Sequence, residues 1–236
     1  MTPRRPPRRP QAARIEAYER FCRQVLEGHL APGQFVSQRE LVELLEMPLG
    51  AVREMIPRLE AARLIVTVPK RGLQVATVGL ELIRNAFQVR AMIEREAISH
   101  YVHVATDTEL DELERRHRAL LARAESGTPD PTLDADARDV DWGTHYRMID
   151  SMGNEILTEI FRVNSMHVRM ITLDSSQVVS RRVRPAMLEH LKFIDALRKR
   201  DLDGAIRALD EHIENSRQRV IDASVHRRSD AAPGAA

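Results

Sequence analysis

The stretch that constrains the fold most is LIVTVPKRGLQVATV, residues 64–78, because the period of the chain changes there. On either side apolar residues recur every three or four positions, as on one face of a helix. Within it they form two short β-type runs, Leu64 to Val68 and Leu73 to Val78. Pro69, Lys70, Arg71 and Gly72 stand between the runs, so the segment predicts a hairpin with a basic tip.

Upstream, a helical pattern begins near Arg14, with Ile15, Tyr18, Phe21, Cys22, Val25 and Leu26 on one face. It stops at Gly28, ahead of a turn at Pro32-Gly33. Ser37 followed by Glu40 has capping-box spacing and predicts a short helix to about Leu45. Another runs from about Leu49 to Ala62, with Val52, Ile56 and Leu59 inward. Three helices followed by a basic hairpin is the winged helix-turn-helix plan, in which one helix enters the major groove and the wing touches the adjacent backbone or minor groove.

From Leu80 onward the pattern is helical almost throughout. The spacing predicts helices at about 79–104, 107–125, 134–152, 154–174, 183–200 and 202–227, with SGTPDPT at 126–132 the clearest break. Helices of this length suit an antiparallel bundle with an interior able to hold a ligand. The chain is therefore read as mainly α: a disordered basic arm over 1–13, a winged helix-turn-helix domain over 14–78, an all-α bundle over 79–228 and a disordered tail over 229–236.

Composition narrows the setting. The 236 residues contain no run of about 18 apolar residues, so no segment is expected to span a membrane. The arginine-rich start lacks the apolar stretch of a secretory signal, which makes a cytoplasmic protein the expectation. The single cysteine, Cys22, has no internal disulfide partner and reads as an ordinary packed thiol. Residues 1–78 carry 13 Lys/Arg against 8 acids and residues 79–236 carry 23 against 27. Residues 15–78 balance at 8 and 8, so the excess at the front comes from Arg4, Arg5, Arg8, Arg9 and Arg14. That arm suits a solvated tail and a DNA-contacting segment equally well, and net charge alone makes a weak case for nucleic acid.

In DWGTH, Asp141 and His145 are i and i+4 on one helical face, bordered by Trp142, Met148, Ile149 and Met152. Met187, Leu191 and Ile194 surround His190, and Leu209 and Ile213 flank His212. A buried carboxylate is costly alone, and a cation held by three imidazoles and that carboxylate would offset the cost, while an Asp with His at i+4 is by itself also common on solvated helices and a lone histidine on an apolar face is usually a core residue. Such donors suit Zn²⁺, Ni²⁺, Mn²⁺ or Fe²⁺ without choosing among them. Of the other histidines, His100, His103, His117 and His167 read as core residues bonded to carbonyls, with His167 an outside candidate for supporting the ligands.

The front half, LEGHLAPGQFVSQRELVELLEMPLGAVREMIPRLEAARLIVTVPKRGLQV, resembles the DNA-binding domain of GntR-family transcriptional regulators. The resemblance implies that Arg39, Arg53 and the wing with Lys70, Arg71 and Gly72 meet double-stranded DNA. Three departures stand out. Pro48-Leu49-Gly50 replaces the family's Ser-Arg-Thr, Pro57 lies inside the recognition helix, and Arg63 stands where a terminating glycine is usual. Pro57 forfeits the bond to the carbonyl of Arg53, at roughly 3 kcal/mol.

The back half resembles the FCD effector domain of the FadR-like subfamily, whose pattern it meets with Asp141…His145, Gly153-Asn154, Glu189-His190 and His212. That resemblance implies a divalent metal ion on Asp141, His145, His190 and His212, with a small carboxylate effector near it. Arg90 matches the family's Arg-x-x-x-Glu and could bind that carboxylate or simply pair with Glu94. Thr144 stands in place of the family's Phe beside the ligating histidine. A homodimeric, ligand-responsive repressor is the expectation, since helix-turn-helix proteins usually read paired half-sites. The alternative is a metal-dependent hydrolase with an appended DNA-binding-like domain. It would need a general base, and Glu189, the obvious candidate, points about 100° away from His190 around its helix.

Overall fold

Helix α1 (Pro10–Leu26) turns Phe21, Cys22 and Val25 into the first core, as the three-to-four spacing requires. It is already running at Pro10, four residues before Arg14, which shortens the expected arm. The computed structural model describes residues 10–174 and 180–230, and residues 1–9 of that arm lie outside them. Two compact units result among the described residues, one built from residues 10–79 together with Arg169–Asp174, the other from Leu80–Val168 and residues 180–230.

In the first unit, Ser37 caps α2 (Gln38–Leu45) reciprocally. Its hydroxyl accepts from the Glu40 amide at 3.2 Å, and Glu40 Oε2 accepts from the Ser37 amide at 2.6 Å. Helix α3 (Leu49–Ala61) starts after Pro48 without a side-chain cap and continues through Pro57. Pro57 is exposed, so water can serve the carbonyl it leaves without a donor. At its end Arg63 adopts φ +55°, its amide bonded to Glu60 O at 2.9 Å and that of Leu64 to Leu59 O at 2.9 Å. This is a Schellman turn with arginine in the left-handed position that glycine usually fills.

The hairpin forms as β2 (Ile65–Val68) and β3 (Gly72–Val75), paired antiparallel with Ile65 opposite Val75 and Val68 opposite Gly72. The pattern over-extended the second run, and it missed β1 (Phe35–Val36), which pairs with β3 to give the order β1-β3-β2. Two residues are too few to show alternation. Leu41, Leu45, Val52, Met55, Leu59, Leu64, Ile65 and Val75 join the α1 face in the core.

Among the described residues the rest of the chain forms no strand, only helices: α4 (Leu80–Val104), α5 (Asp107–Glu125), α6 (Leu133–Ser151), α7 (Glu155–Asp174), α8 (Ser180–Arg198) and α9 (Leu202–Asp230). Helix α9 carries two residues into the expected tail, and 231–236 lie outside the described residues. Thr106 and Glu109 form the capping box that starts α5. Gly153 at φ +62° ends α6, and Asn154 Oδ1 accepts from the amides of Ile156 and Leu157 to start α7. The Gly-Asn pair is therefore a helix stop and start. Helix α8 packs on α5 and α9, and α4 packs on α9 and α6, so faces of α4, α5, α6, α8 and α9 meet in one interior. Among the described residues no helix is long and apolar enough to cross a membrane.

Candidate metal centre and DNA-facing residues

The four expected ligands come from three helices: Asp141 and His145 from α6, His190 from α8 and His212 from α9. Their ligand atoms all lie within 4.8 Å of one another. The three imidazoles are buried and the Asp141 side chain is 21% exposed, so the cluster opens on its carboxylate side.

Each imidazole is oriented from behind. His212 Nδ1 donates to Glu189 Oε2 at 2.9 Å, and Glu189 also accepts from Arg219 at 2.7 and 3.0 Å and from Asn215 at 3.1 Å. His145 Nδ1 lies 2.8 Å from Glu94 Oε2, in close contact though out of line for a hydrogen bond. His190 Nδ1 lies 2.9 Å from Nε2 of His117, whose Nδ1 donates to Leu113 O at 2.7 Å.

Arg90, 2% exposed, enters the same cluster. Its Nε donates to Glu94 Oε1 at 2.8 Å, while Nη2 donates to His145 Nε2 at 2.8 Å and His212 Nε2 at 3.2 Å. A guanidinium has no acceptor, so both Nε2 atoms must present lone pairs. The tautomers of His145 and His212 follow: protons on Nδ1 toward the two glutamates, lone pairs toward the centre. Of the two partners open to Arg90 from the sequence, an effector carboxylate and Glu94, the pair with Glu94 forms, and the guanidinium also reaches Nε2 of His145 and of His212.

Burial decides the protonation of the cluster. It pushes His117 and His212 down to about 3 and lowers His190 as well. Burial alone would raise Glu94 and Glu189. Arg90 and His145 together outweigh it at Glu94, and at Glu189 the bonds from His212 and Arg219 do so, leaving each carboxyl at about 2. Because His117 holds its own proton toward Leu113 O, its Nε2 accepts from His190 Nδ1, and the bare Nε2 of His190 faces Asp141 Oδ1 at 3.0 Å without a hydrogen bond between them. Two acceptors that close need a cation or a proton between them, so the donor set fits a divalent metal ion.

Thr144 is buried with its hydroxyl bonded to Val140 O at 2.7 Å, so its polarity is spent on its own helix. Among the other histidines, His100 bonds the carbonyl of Ser151 at 3.1 Å and His167 is buried on α7 outside the ligand group. His103 is exposed, contrary to the core reading. His117 does bond a carbonyl, but it also touches His190, a contact the sequence pattern does not show. Its burial was legible from Leu110, Leu113 and Leu120 on the same face, whereas a partner 73 residues away was not.

In the first unit Arg39, Arg53, Lys70 and Arg71 are all exposed. Arg39 lies 3.4 Å from Glu43 across one helical turn, and Arg53 donates to Gln38 at 3.2 Å. The Arg71 guanidinium stacks 4.0 Å from the centre of the Phe35 ring. Gly72 has φ +94°, and a Cβ there would sit 3.1 Å from Val36 O. The close approach glycine permits is thus between β3 and β1 of its own sheet.

Residues 14–75 match the description "Bacterial regulatory proteins, gntR family" and residues 85–215 match the FCD domain. The chain is 23% identical over 222 residues to the HTH-type transcriptional repressor RspR of Escherichia coli (strain K12), covering 89% of this chain and 90% of that protein. It is 25% identical over 173 residues to the Nta operon transcriptional regulator of Aminobacter aminovorans, covering 73% and 79%. Among solved structures, E. coli McbR/YncC superposes with a TM-score of 0.73 at 21% identity, covering 89% of this chain and 97% of that one. These families are transcriptional regulators and not enzymes, which sets the hydrolase alternative aside. The chain belongs to the GntR family of bacterial transcriptional regulators, among the members that carry an FCD domain.

Proposed function

We propose that this regulator is a homodimeric repressor that reads DNA through Arg39, Arg53, Lys70, Arg71 and the Gly72 turn. It holds one divalent metal ion on Asp141, His145, His190 and His212, and is released from DNA by a small carboxylate. The carrying observation is the convergence of three buried imidazoles and one carboxylate within 4.8 Å. A relative of similar length is a named repressor, which supports that sign of control. Zn²⁺, Ni²⁺, Mn²⁺ and Fe²⁺ all suit the donors.

When bound, the ion would offset the Asp141 charge and offer open positions to an effector carboxylate. Arg90 cannot keep its bonds to His145 and His212 while those lone pairs serve a cation, so the two occupations exclude each other. Turned away, Arg90 remains tied to Glu94 and has donors free for a carboxylate. The effector can relieve repression only by as much as it prefers the DNA-free form.

Protein purified without a histidine tag should contain about one equivalent of metal per chain, falling sharply in His190→Ala. Equal occupancy in both would sink the four-ligand site. Promoter fragments selected from genomic DNA should lose roughly tenfold or more in affinity for Arg53→Ala at moderate salt; unchanged binding would remove α3 as the reading helix.

A further inference from the structure

His117 belongs to α5, a helix that supplies no ligand, yet its ring is fully buried against the candidate centre. Its Nδ1 lies 2.7 Å from Leu113 O. A carbonyl only accepts, so the proton must be on His117 Nδ1, and in the neutral ring Nε2 can then only accept. That Nε2 is 2.9 Å from His190 Nδ1, which must therefore be the donor. The His190 proton is thus drawn away from the ligand cluster, and Nε2 is left as a lone pair beside Asp141.

We infer that His117 is a positioning residue: through its bond to Leu113 O it fixes His190 in the Nδ1-protonated tautomer and so presents His190 Nε2 to the metal. Deepening the metal reading and resting on it, this assigns His190 the role that Glu94 and Glu189 have behind His145 and His212. Those two ligands are backed by carboxylates on α4 and α8, whereas His190 is backed by a neutral ring. The opposite tautomer would set two lone pairs against each other at 2.9 Å, and would put a proton where the cation binds. Partners of this kind typically carry a ten- to hundredfold share of metal affinity.

Asparagine and glutamine at 117 separate this role from simple packing. An asparagine amide can satisfy Leu113 O but is too short for His190; a glutamine carbonyl oxygen reaches the position of Nε2 and accepts the His190 proton. Long-range proton–nitrogen correlation spectra of the metal-stripped full chain should show His190 protonated on Nδ1 in the wild type and in His117→Gln, and shifted toward Nε2 in His117→Asn. Titration of the same proteins with Zn²⁺ alone should give His117→Gln within about threefold of wild type and His117→Asn ten- to hundredfold weaker. Equal spectra and equal Zn²⁺ affinities for the two variants would overturn the assignment, and so would equal weakening in both. Should wild type itself bind no Zn²⁺, the metal reading fails, and the His190 tautomer still decides the role of His117.

Discussion

The two units use charge in opposite ways. In the first, Arg39, Arg53, Lys70 and Arg71 lie at the surface, the three arginines held loosely by a glutamate one turn away, a glutamine and the face of Phe35 in turn. In the second, Arg90, Glu94, His117, His145, Glu189, His190 and His212 are all buried. A surface that meets phosphate needs mobile cations whose water and counterions leave on contact. A site for a metal ion needs neutral donors held in one orientation before the ion arrives. Exposed pairs such as Arg39–Glu43 contribute little to stability, whereas the buried cluster is stable only while every member keeps its partner.

The sharpest way to break that contrast is to remove one buried partner. Glu94→Leu leaves the Arg90 guanidinium without its counter-charge and should cost about 3–5 kcal/mol in the urea unfolding of the full chain. Adding Arg90→Met to it should restore most of the loss, because a paired apolar replacement leaves no charge stranded. In the first unit Glu43→Ala should cost less than ~1 kcal/mol. Similar costs for the two single changes would mean that burial does not set the value of these pairs.

A second difference concerns pH. His117 and His212 are held at about 3 in the folded chain, below the ordinary 6.5, so the unfolded chain binds more protons once pH drops toward 6.5. Their stabilising effect is complete above that value and is lost as pH falls, by roughly 2 kcal/mol per histidine between pH 7 and 5. Glu94 and Glu189, lowered to about 2, add a further loss from about 4.5 downward. Urea midpoints of metal-stripped protein should follow this course, with a shallower pH 7-to-5 slope in His117→Gln. A flat profile in the wild type would show that these rings are not buried neutral.

Arg90 offers a smaller test of the same cluster. Because its Nη2 occupies the lone pairs of His145 and His212, Arg90→Met should tighten Zn²⁺ binding by about tenfold, the loss of a hydrogen-bonded competitor worth ~1.4 kcal/mol. Weaker Zn²⁺ binding in the variant would instead make the arginine a support of the ligands.

What the sequence revealed follows from which interactions are local. The capping boxes at Ser37 and Thr106 span three residues, and the inward faces of α4 to α9 repeat within a turn or two. Those two helix starts and the inward faces were therefore readable, and the four residues that cluster in the bundle were so with the help of family resemblance. Strand β1 was not, being two residues long and defined by its pairing with Leu73 and Gln74 far along the chain. Glu94 was legible as the partner of Arg90 four residues away, but its contact with His145 crosses 51 positions and depends on how α4 meets α6. Glu189 was noticed only for its place beside His190, whereas in the fold it supports His212. Sequence periodicity places a side chain on a face, and the packing of helices chooses its partner.

The smallest expected effect compares one feature present in both units, an arginine in the left-handed position after a helix. Arg63 follows α3 at φ +55°, and Arg200 follows α8 at φ +55°, each closing a Schellman turn. Their side chains differ. Arg63 is exposed and among the described residues has no bonded partner, while Arg200 donates to Val102 O at 3.0 Å and to Asp107 at 2.9 Å. Glycine removes a Cβ penalty of roughly 1–2 kcal/mol at either place and returns about 0.5–1 kcal/mol as entropy of the unfolded chain. Arg63→Gly should therefore stabilise by a few tenths to about 1 kcal/mol. Arg200→Gly gives up a bond to a backbone carbonyl and an ion pair, together about 1 kcal/mol or more, and should be neutral or destabilising. Thermal unfolding of the two variants side by side decides it, and a gain from Arg200→Gly equal to that from Arg63→Gly would mean that the bonds to Val102 and Asp107 contribute nothing.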